Sequence, residues 1–169
     1  MDALARTLVR TGAALAVAGL AATGAAAQPF TAFGSQAGWN IEVNGRMGPG
    51  CLIWQTLADG TQIQMGIDAT VAQRGYMALY TQKGAALPPG QSTDVTFNVD
   101  GRPFRGTATG QAMEGYEGAF VWVNNRDFIY DLAKRNKLTV STPTHAPIEI
   151  SLAGTQAAFK ALRTCQDAQ

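Results

Sequence analysis

Two cysteines and one histidine are the residues of this sequence whose types and spacing bear most directly on chemistry. Cys51 and Cys165 are the only cysteines, and they lie far apart in the chain. A redox or metal-binding pair would show C-x-x-C spacing or nearby histidines, and neither pattern is present. In an oxidising compartment, two such thiols are most simply one disulfide, and we predict that Cys51 and Cys165 form it.

The candidates for catalysis are few. His145, the only histidine, could act as a general base or a pH switch. It lies in a turn with no neighbouring nucleophile, and a single histidine cannot build a multi-histidine metal site. Glu114 and Glu117 could form a glycosidase pair, but a glycine-rich loop favours a solvated connection. We predict no catalytic residue, no metal and no cofactor, and therefore a protein that is not an enzyme.

Two tyrosines suggest a binding surface. Tyr76 and Tyr80 have the opposite strand parity to Met77 and Leu79. If Met77 and Leu79 face the core, the tyrosines face outward. Exposed aromatic side chains are typical of interaction sites.

A hairpin supplies the rest of this predicted surface. Arg102, Phe104 and Arg105 follow an Asp-Gly turn. The arginines could bind an acidic partner, or the charges could simply protect an exposed edge strand. We predict a binding surface made of Tyr76 and Tyr80 together with these three residues.

The tryptophans allow two interpretations. Trp39, Trp54 and Trp122 could form a platform on which a sugar stacks. Two of them belong to alternating apolar faces of predicted strands, so packing in the core is favoured.

The N-terminus has the pattern of a secretory signal. Residues 1–27 carry Arg6 and Arg10, then an uncharged run rich in Ala and Gly, then Ala25 to Ala27. We predict cleavage after Ala27, because the run is only weakly apolar for a permanent membrane anchor. No second apolar run of membrane length follows. The expected location is periplasmic or secreted, with no stable membrane span after cleavage.

Charge limits the class of partner. The chain has 13 basic and 12 acidic residues; removing residues 1–27 takes away two basic and one acidic residue and leaves 11 of each. A neutral chain without a basic run has little attraction for phosphates, so we expect no nucleic acid and instead an unidentified protein or cell-envelope partner.

Short alternating segments predict a mainly β fold. We expect a leader segment at 28–37 and a single domain at 38–169. Asp59-Gly60 and Asp100-Gly101 are hairpin turns. The pattern predicts an antiparallel β-sandwich or flattened barrel of about eight or nine strands with two short helices in the C-terminal half. The predicted strands are 39–44, 51–57, 61–68, 75–81, 94–99, 103–109, 118–123, 137–141 and 147–152.

Helical spacing appears twice near the C-terminus. Asn125 should cap a helix over 126–135, and Thr155 should cap a final helix. On that last helix Ala158, Leu162 and Cys165 share one face, which predicts that Cys165 is buried.

Several motifs occur in a fixed order along the chain: 38–41, Cys51 opening the next strand, the 84–90 turn, 128–138, 148–154 and 157–162. In this order they resemble the invasion-associated locus B family of exported alphaproteobacterial proteins. That resemblance implies an exported β-sandwich, linked in pathogenic relatives to entry into host cells, and it supplies no catalytic residue. The cysteine pattern differs, because this chain lacks further cysteines near Val43 and Thr107.

We therefore expect a non-enzymatic exported protein of this type that binds a protein or a cell surface. Two alternatives stay open. One is a periplasmic hydrolase inhibitor that presents a rigid loop, at 44–50 or 114–118. The other is a small carbohydrate-binding protein that uses the tryptophans.

Overall fold

A computed structural model describes residues 30–72, 74–82, 84, 87–113 and 115–169. The predicted signal peptide and cleavage site lie outside these residues. The predicted mainly β fold with two short helices is confirmed. The strands are β1 (Phe30–Gln36), β2 (Trp39–Asn44), β3 (Gly50–Thr56), β4 (Gln62–Asp68), β5 (Arg74–Thr81), β6 (Ser92–Val99), β7 (Arg102–Met113), β8 (Tyr116–Val123), β9 (Lys137–Thr142) and β10 (His145–Ser151); the helices are α1 (Arg126–Asp131) and α2 (Thr155–Asp167).

All ten strands belong to one antiparallel sheet in the order β1-β2-β3-β4-β5-β8-β7-β6-β9-β10. The two ends of this order do not pair with each other, so the sheet stays open. One face of the sheet nevertheless contributes residues from β2 to β10 to a single buried core. A single sheet can do this only by curling strongly, which the twist and bulges of antiparallel strands permit.

The strand β1 was missing from the sequence prediction, which treated 28–37 as a leader segment. Its residues are exposed except for the partly buried Phe30, and Phe33 is 44% exposed. The segment therefore shows no alternation of buried and exposed residues from which a strand could be predicted. It is held by pairing with β2 through a tight turn in which Ala37 and Gly38 both have positive φ.

The helix α2 packs against β1, β2 and β3. Ala158, Leu162 and Cys165 are fully buried, as predicted. The predicted disulfide between Cys51 and Cys165 is confirmed, with 6.1 Å between the two Cα atoms. It joins β3 to the last helix.

The helix caps are partly as expected. The Asn125 side chain accepts a hydrogen bond from the Asp127 amide at 3.0 Å, so the predicted cap of α1 is confirmed. The predicted cap of α2 is wrong by one residue. Gly154 is the N-cap, and Thr155 is the first helical residue, its Oγ1 donating to the Leu152 carbonyl at 2.7 Å. A Cβ at Gly154 would lie 2.6 Å from the Ala37 carbonyl oxygen, so the close approach of two turns selects glycine here.

Candidate ligand-binding cavity

The tyrosines predicted to be exposed are buried. Tyr76 and Tyr80 do point away from the face that carries Met77, but each is only 3% exposed. Each lies opposite a glycine on the neighbouring strand, Gly66 for Tyr76 and Gly118 for Tyr80. A Cβ at either glycine would lie 2.7 Å from the facing ring. The rings thus lie flat across the glycines, which corrects the prediction of an exposed pair.

The two tyrosine hydroxyls differ in their surroundings. The Tyr80 hydroxyl donates to Oε1 of Gln111 at 2.9 Å. The Tyr76 hydroxyl is buried without a hydrogen bond of acceptable geometry in the described residues. The Asn44 side chain lies near enough to favour its ionised form, but burial is the larger effect and raises the pKa of Tyr76 far above its ordinary value. Burial also raises the pKa of Tyr80, to about 12.

The hairpin residues of the predicted surface do not join the tyrosines. Arg102 and Phe104 pair with the buried Val99 and Phe97 and so lie on the inner face of the sheet. Arg105 has the opposite parity and lies on the outer face. The structure therefore separates the predicted surface into three parts.

Phe104 is partly exposed, as a residue of a binding surface would be. It is 41% exposed and packs edge-on against Phe128 of α1, with 5.0 Å between ring centroids. Arg102 and Arg135 lie at the same small groove.

The tryptophans do not form an open platform. Trp39 is buried, as favoured from the sequence, and its Nε1 donates to the Ala153 carbonyl at 3.3 Å. Trp54 and Trp122 lie partly buried on the outer face. The Arg74 guanidinium covers the Trp122 ring at 3.8 Å from its centroid, and Asp68 holds that arginine in place. This ring is already occupied by a cation–π contact.

Of the three candidates for catalysis, the structure describes Glu117 and His145. Glu114, one member of the predicted carboxylate pair, lies outside the described residues. His145 is exposed, and its Nδ1 lies 2.8 Å from Oγ1 of Thr144 and 3.2 Å from Oγ1 of Thr142. In the part of the chain that the structure describes, no cluster of three or more His, Cys, Asp or Glu side chains could hold a metal ion.

The feature that sequence reasoning missed is a cavity of about 290 Å³ on the inner face of the curled sheet. Protein cores are normally packed without voids of this size. Its walls are mainly aliphatic and come from seven strands, β4 to β10. The lining side chains that define it are Ile63, Met77, Leu79, Val95, Phe97, Ala108, Ala119, Val121, Leu138, Val140, Ile148 and Ile150.

The cavity explains an inversion of burial along β5. Leu79, on the inner face, is more exposed than Tyr80 on the outer face. The same partial exposure holds for Ala119, Val140 and Ile148. In the sequence these residues alternate with polar ones just as core residues do. The alternation shows which side chains point to the inner face, but it does not show whether other side chains pack against them.

The mouth of the cavity lies beside the start of β4, the end of β5 and the turn between β9 and β10. Hydroxyl groups of Thr61, Thr81, Thr142 and Thr144 line this end, together with His145. The carboxylate of Glu117 stands at the rim, with Oε2 3.9 Å from the place that a Cβ would take at Gly84. The polar groups therefore gather at the mouth, above aliphatic walls.

One loop is anchored beside the mouth. The Gly90 amide donates to the Gly110 carbonyl at 2.9 Å, and the Gly110 amide donates to the Gln91 carbonyl at 2.8 Å. A Cβ at Gly110 would lie 2.1 Å from the Pro88 carbonyl oxygen, so only glycine admits the loop here. Leu87 of this loop packs against the core and lines the cavity.

No helix among the described residues is long and apolar enough to cross a bilayer. The comparisons with known proteins leave the family open. A scan against protein-family models and searches of curated proteins and of solved structures returned no match for this chain, so the resemblance to the invasion-associated locus B family stays a prediction from the order of its motifs.

Proposed function

We propose that this protein is an exported, non-enzymatic binding protein that holds a small apolar molecule inside its curled sheet. The observation that carries the proposal is the cavity of about 290 Å³ with aliphatic walls and polar groups confined to its mouth. Small-molecule sites are concave and mostly apolar, with a few polar groups that orient the ligand. A dry engineered cavity of about 150 Å³ already binds benzene.

Export is supported by the disulfide and by the signal pattern of residues 1–27. Disulfides persist in the periplasm and outside the cell, where the redox poise is oxidising. The expected location remains periplasmic or secreted.

The side chains at the cavity favour binding over catalysis. Its walls are hydrocarbon, and its mouth offers threonine hydroxyls, one imidazole and, at the rim, the Glu117 carboxylate. An activated hydroxyl needs a base that a third group orients. Among the described residues, the recorded hydrogen bonds of His145 go only to Thr142 and Thr144, through the same ring nitrogen.

The test uses the oxidised chain from Gln28 onward and the fluorescent probe N-phenylnaphthylamine, which brightens in apolar sites. We expect saturable binding with one site per chain, and native mass spectrometry should show the same stoichiometry. Ala108→Phe fills the cavity and should weaken binding at least tenfold. The matched control is Thr107→Phe, the neighbouring residue on β7, which is exposed on the opposite face. Absence of saturable binding, or equal loss in both variants, would refute the proposal.

A second candidate function is the binding of a protein or cell surface, as the resemblance implies. The observation that favours it is Phe104, which is 41% exposed beside Arg102. Affinity capture from envelope extracts with the wild type and with Phe104→Ala tests this, and an identical set of captured partners would remove the site.

The inhibitor and carbohydrate alternatives gain less support, because Met47 of the 44–50 loop packs against the sheet and Trp122 is covered by Arg74.

A further inference from the structure

We infer that the groove beside Phe104 binds an acidic peptide segment of a protein partner. Arg102 and Arg135 hold a carboxylate of that segment, and a neighbouring apolar side chain packs on Phe104. The inference rests on the second candidate function, the binding of a protein, and adds the chemistry of the partner. The groove shares no described lining residue with the cavity, so the two sites can be tested separately.

A contact between two chain segments brings the two arginines to one groove. Asp100 lies in the turn that precedes Arg102. Its carboxylate accepts hydrogen bonds from the Asn136 and Lys137 amides at 3.2 and 3.0 Å, and its own amide donates to the Lys137 carbonyl at 3.2 Å. The turn is therefore fixed beside the segment that follows Arg135, and both arginines line the groove.

The two guanidinium groups have donors to spare. Among the described residues, Arg102 and Arg135 form no ion pair and no side-chain hydrogen bond. The carboxylate that lines the groove, that of Asp131, accepts a hydrogen bond from Lys134 at 2.9 Å. Arg135 is half-buried, so its charge is less screened than that of an exposed arginine. Planar guanidinium groups match the two oxygens of a carboxylate, which makes a carboxylate the complementary group.

Below the arginines the groove is apolar. Val99 and Leu132 line it and are buried. Phe104 is 41% exposed, and its edge-on contact with Phe128, with 5.0 Å between ring centroids, holds the ring in place. An aromatic or aliphatic side chain of a partner can pack on this ring and remove apolar surface from water. The partner should therefore carry an apolar side chain next to its carboxylate.

The exposed rim of the groove favours a protein over a free small molecule. Besides Phe104, the lining residues Arg102, Asn125 and Asp131 are exposed. Sites for small molecules enclose most of the ligand surface, whereas aromatic residues and arginine are enriched in protein interfaces. A peptide segment can lie across such an open groove and continue over the neighbouring surface.

The test titrates the oxidised, ¹⁵N-labelled chain from Gln28 onward with an end-blocked pentapeptide in which two glutamates flank one phenylalanine. We expect saturable shifts of the backbone amide signals around the groove. One control peptide replaces both glutamates by glutamine, and another replaces the phenylalanine by alanine. Each control should bind about tenfold more weakly, because it lacks either the charge-assisted hydrogen bonds or the aromatic contact.

A pair of substitutions tests the arginines. Arg102→Gln combined with Arg135→Gln should weaken binding of the acidic peptide about tenfold and leave N-phenylnaphthylamine binding in the cavity unchanged. The matched control is Arg105→Gln on the same strand as Arg102. Arg105 has the opposite parity and lies on the outer face, so its loss should change neither affinity. Thermal unfolding checks that the variants are folded.

The outcomes separate this inference from the functions proposed above. No saturable binding of the acidic peptide, or equal weakening in the double variant and in Arg105→Gln, would refute it. Equal binding of either control peptide would show that the stated partner is wrong. If free 3-phenylpropionate binds as tightly as the peptide, the occupant is a small aromatic acid and not a protein segment. If affinity capture depends on Phe104 but the acidic peptide does not bind, the second candidate function stands and the acidic partner is wrong.

Discussion

At the scale of single residues, the tyrosines behave as structural side chains. Tyr76 and Tyr80 cover Gly66 and Gly118 on neighbouring strands. Aromatic rings across glycine replace the side-chain contacts that glycine lacks, and this stabilises a sheet. Their burial removes the exposed patch that the sequence suggested.

The two hydroxyls give a matched pair of variants. We predict that Tyr80→Phe lowers the free energy of unfolding by about 1 kcal/mol, because it removes the bond to Gln111 and leaves that acceptor to water. Tyr76→Phe removes a buried hydroxyl without a hydrogen bond, so its effect should be within about 0.5 kcal/mol of zero or stabilising. Urea unfolding of both variants measures the difference. A loss of about 1 kcal/mol or more in Tyr76→Phe would show that its hydroxyl has a partner after all.

Asp68 gives a prediction of pH dependence. It is 2% exposed and accepts hydrogen bonds from Thr70 and Arg74 at 2.9 Å. Burial alone would raise the pKa of Asp68, but these hydrogen bonds and the Arg74 charge outweigh it and hold the pKa below 3.8. A lowered folded pKa adds stability above the ordinary pKa and loses it as the pH falls through the folded value.

We therefore expect Asp68→Asn to lower the free energy of unfolding by about 2 kcal/mol at neutral pH. The difference from the wild type should shrink as the pH falls below 3.8. Asp131→Asn, which breaks an exposed pair with Lys134, serves as the control and should change stability by less than about 0.5 kcal/mol. A difference between wild type and Asp68→Asn that is constant from neutral to acid pH would contradict this account.

At the scale of elements, close backbone contacts decide how loops meet the sheet. The loop at 87–91 approaches β7 only because Gly110 has no side chain. The same loop places Leu87 at the cavity. A change at Gly110 should therefore affect both stability and the mouth.

We predict that Gly110→Ala lowers the free energy of unfolding by about 1 to 3 kcal/mol, because its Cβ would overlap the Pro88 carbonyl oxygen. Gly34→Ala on β1 meets no atom within 4 Å and should stay within about 0.5 kcal/mol of the wild type. Thermal and urea unfolding compare the two. Equal effects at both glycines would mean that the loop can move away from β7 without cost.

At the scale of the whole molecule, the disulfide holds together a sheet that does not close. Cys51 on β3 and Cys165 on α2 are fully buried. Next to the disulfide, the backbone amide of Cys51 donates a hydrogen bond to Oε1 of Gln166 at 2.9 Å. The terminal helix is thus fixed to an early strand.

We predict that the double variant Cys51→Ala with Cys165→Ala loses about 4 to 5 kcal/mol of unfolding free energy, from the loop-closure entropy of a crosslink over 114 positions. Chemical reduction of the wild type should give a similar urea midpoint. A loss below about 1 kcal/mol would mean that packing alone holds α2 in place.

The cavity is a second property of the whole molecule. An unfilled cavity lowers stability, and side chains that fill it commonly raise stability. The cavity-filling variant Ala108→Phe should thus bind ligand less well but remain folded. A loss of binding without a loss of stability is expected where a cavity is present for binding.

Much of the fold could be predicted from local pattern. Alternation located the nine strands from β2 to β10, since a strand with one buried face repeats every two residues. Helical spacing placed Cys165 on the buried side of α2, and cysteine count and spacing predicted its disulfide with Cys51. The strand β1 was not predicted, because an exposed edge strand is held by backbone hydrogen bonds and these leave no apolar pattern in the sequence.

Only the tertiary structure decided which faces are filled. The sequence by itself determined the strands from β2 to β10, their inner and outer residues and the crosslink, because these depend on local periodicity and on residue type. Whether Tyr76 meets water or a glycine, and whether Leu79 meets packed side chains or a void, depends on neighbours brought together by the curl of the sheet. That curl is set by the register of all ten strands, and no short stretch of sequence contains it.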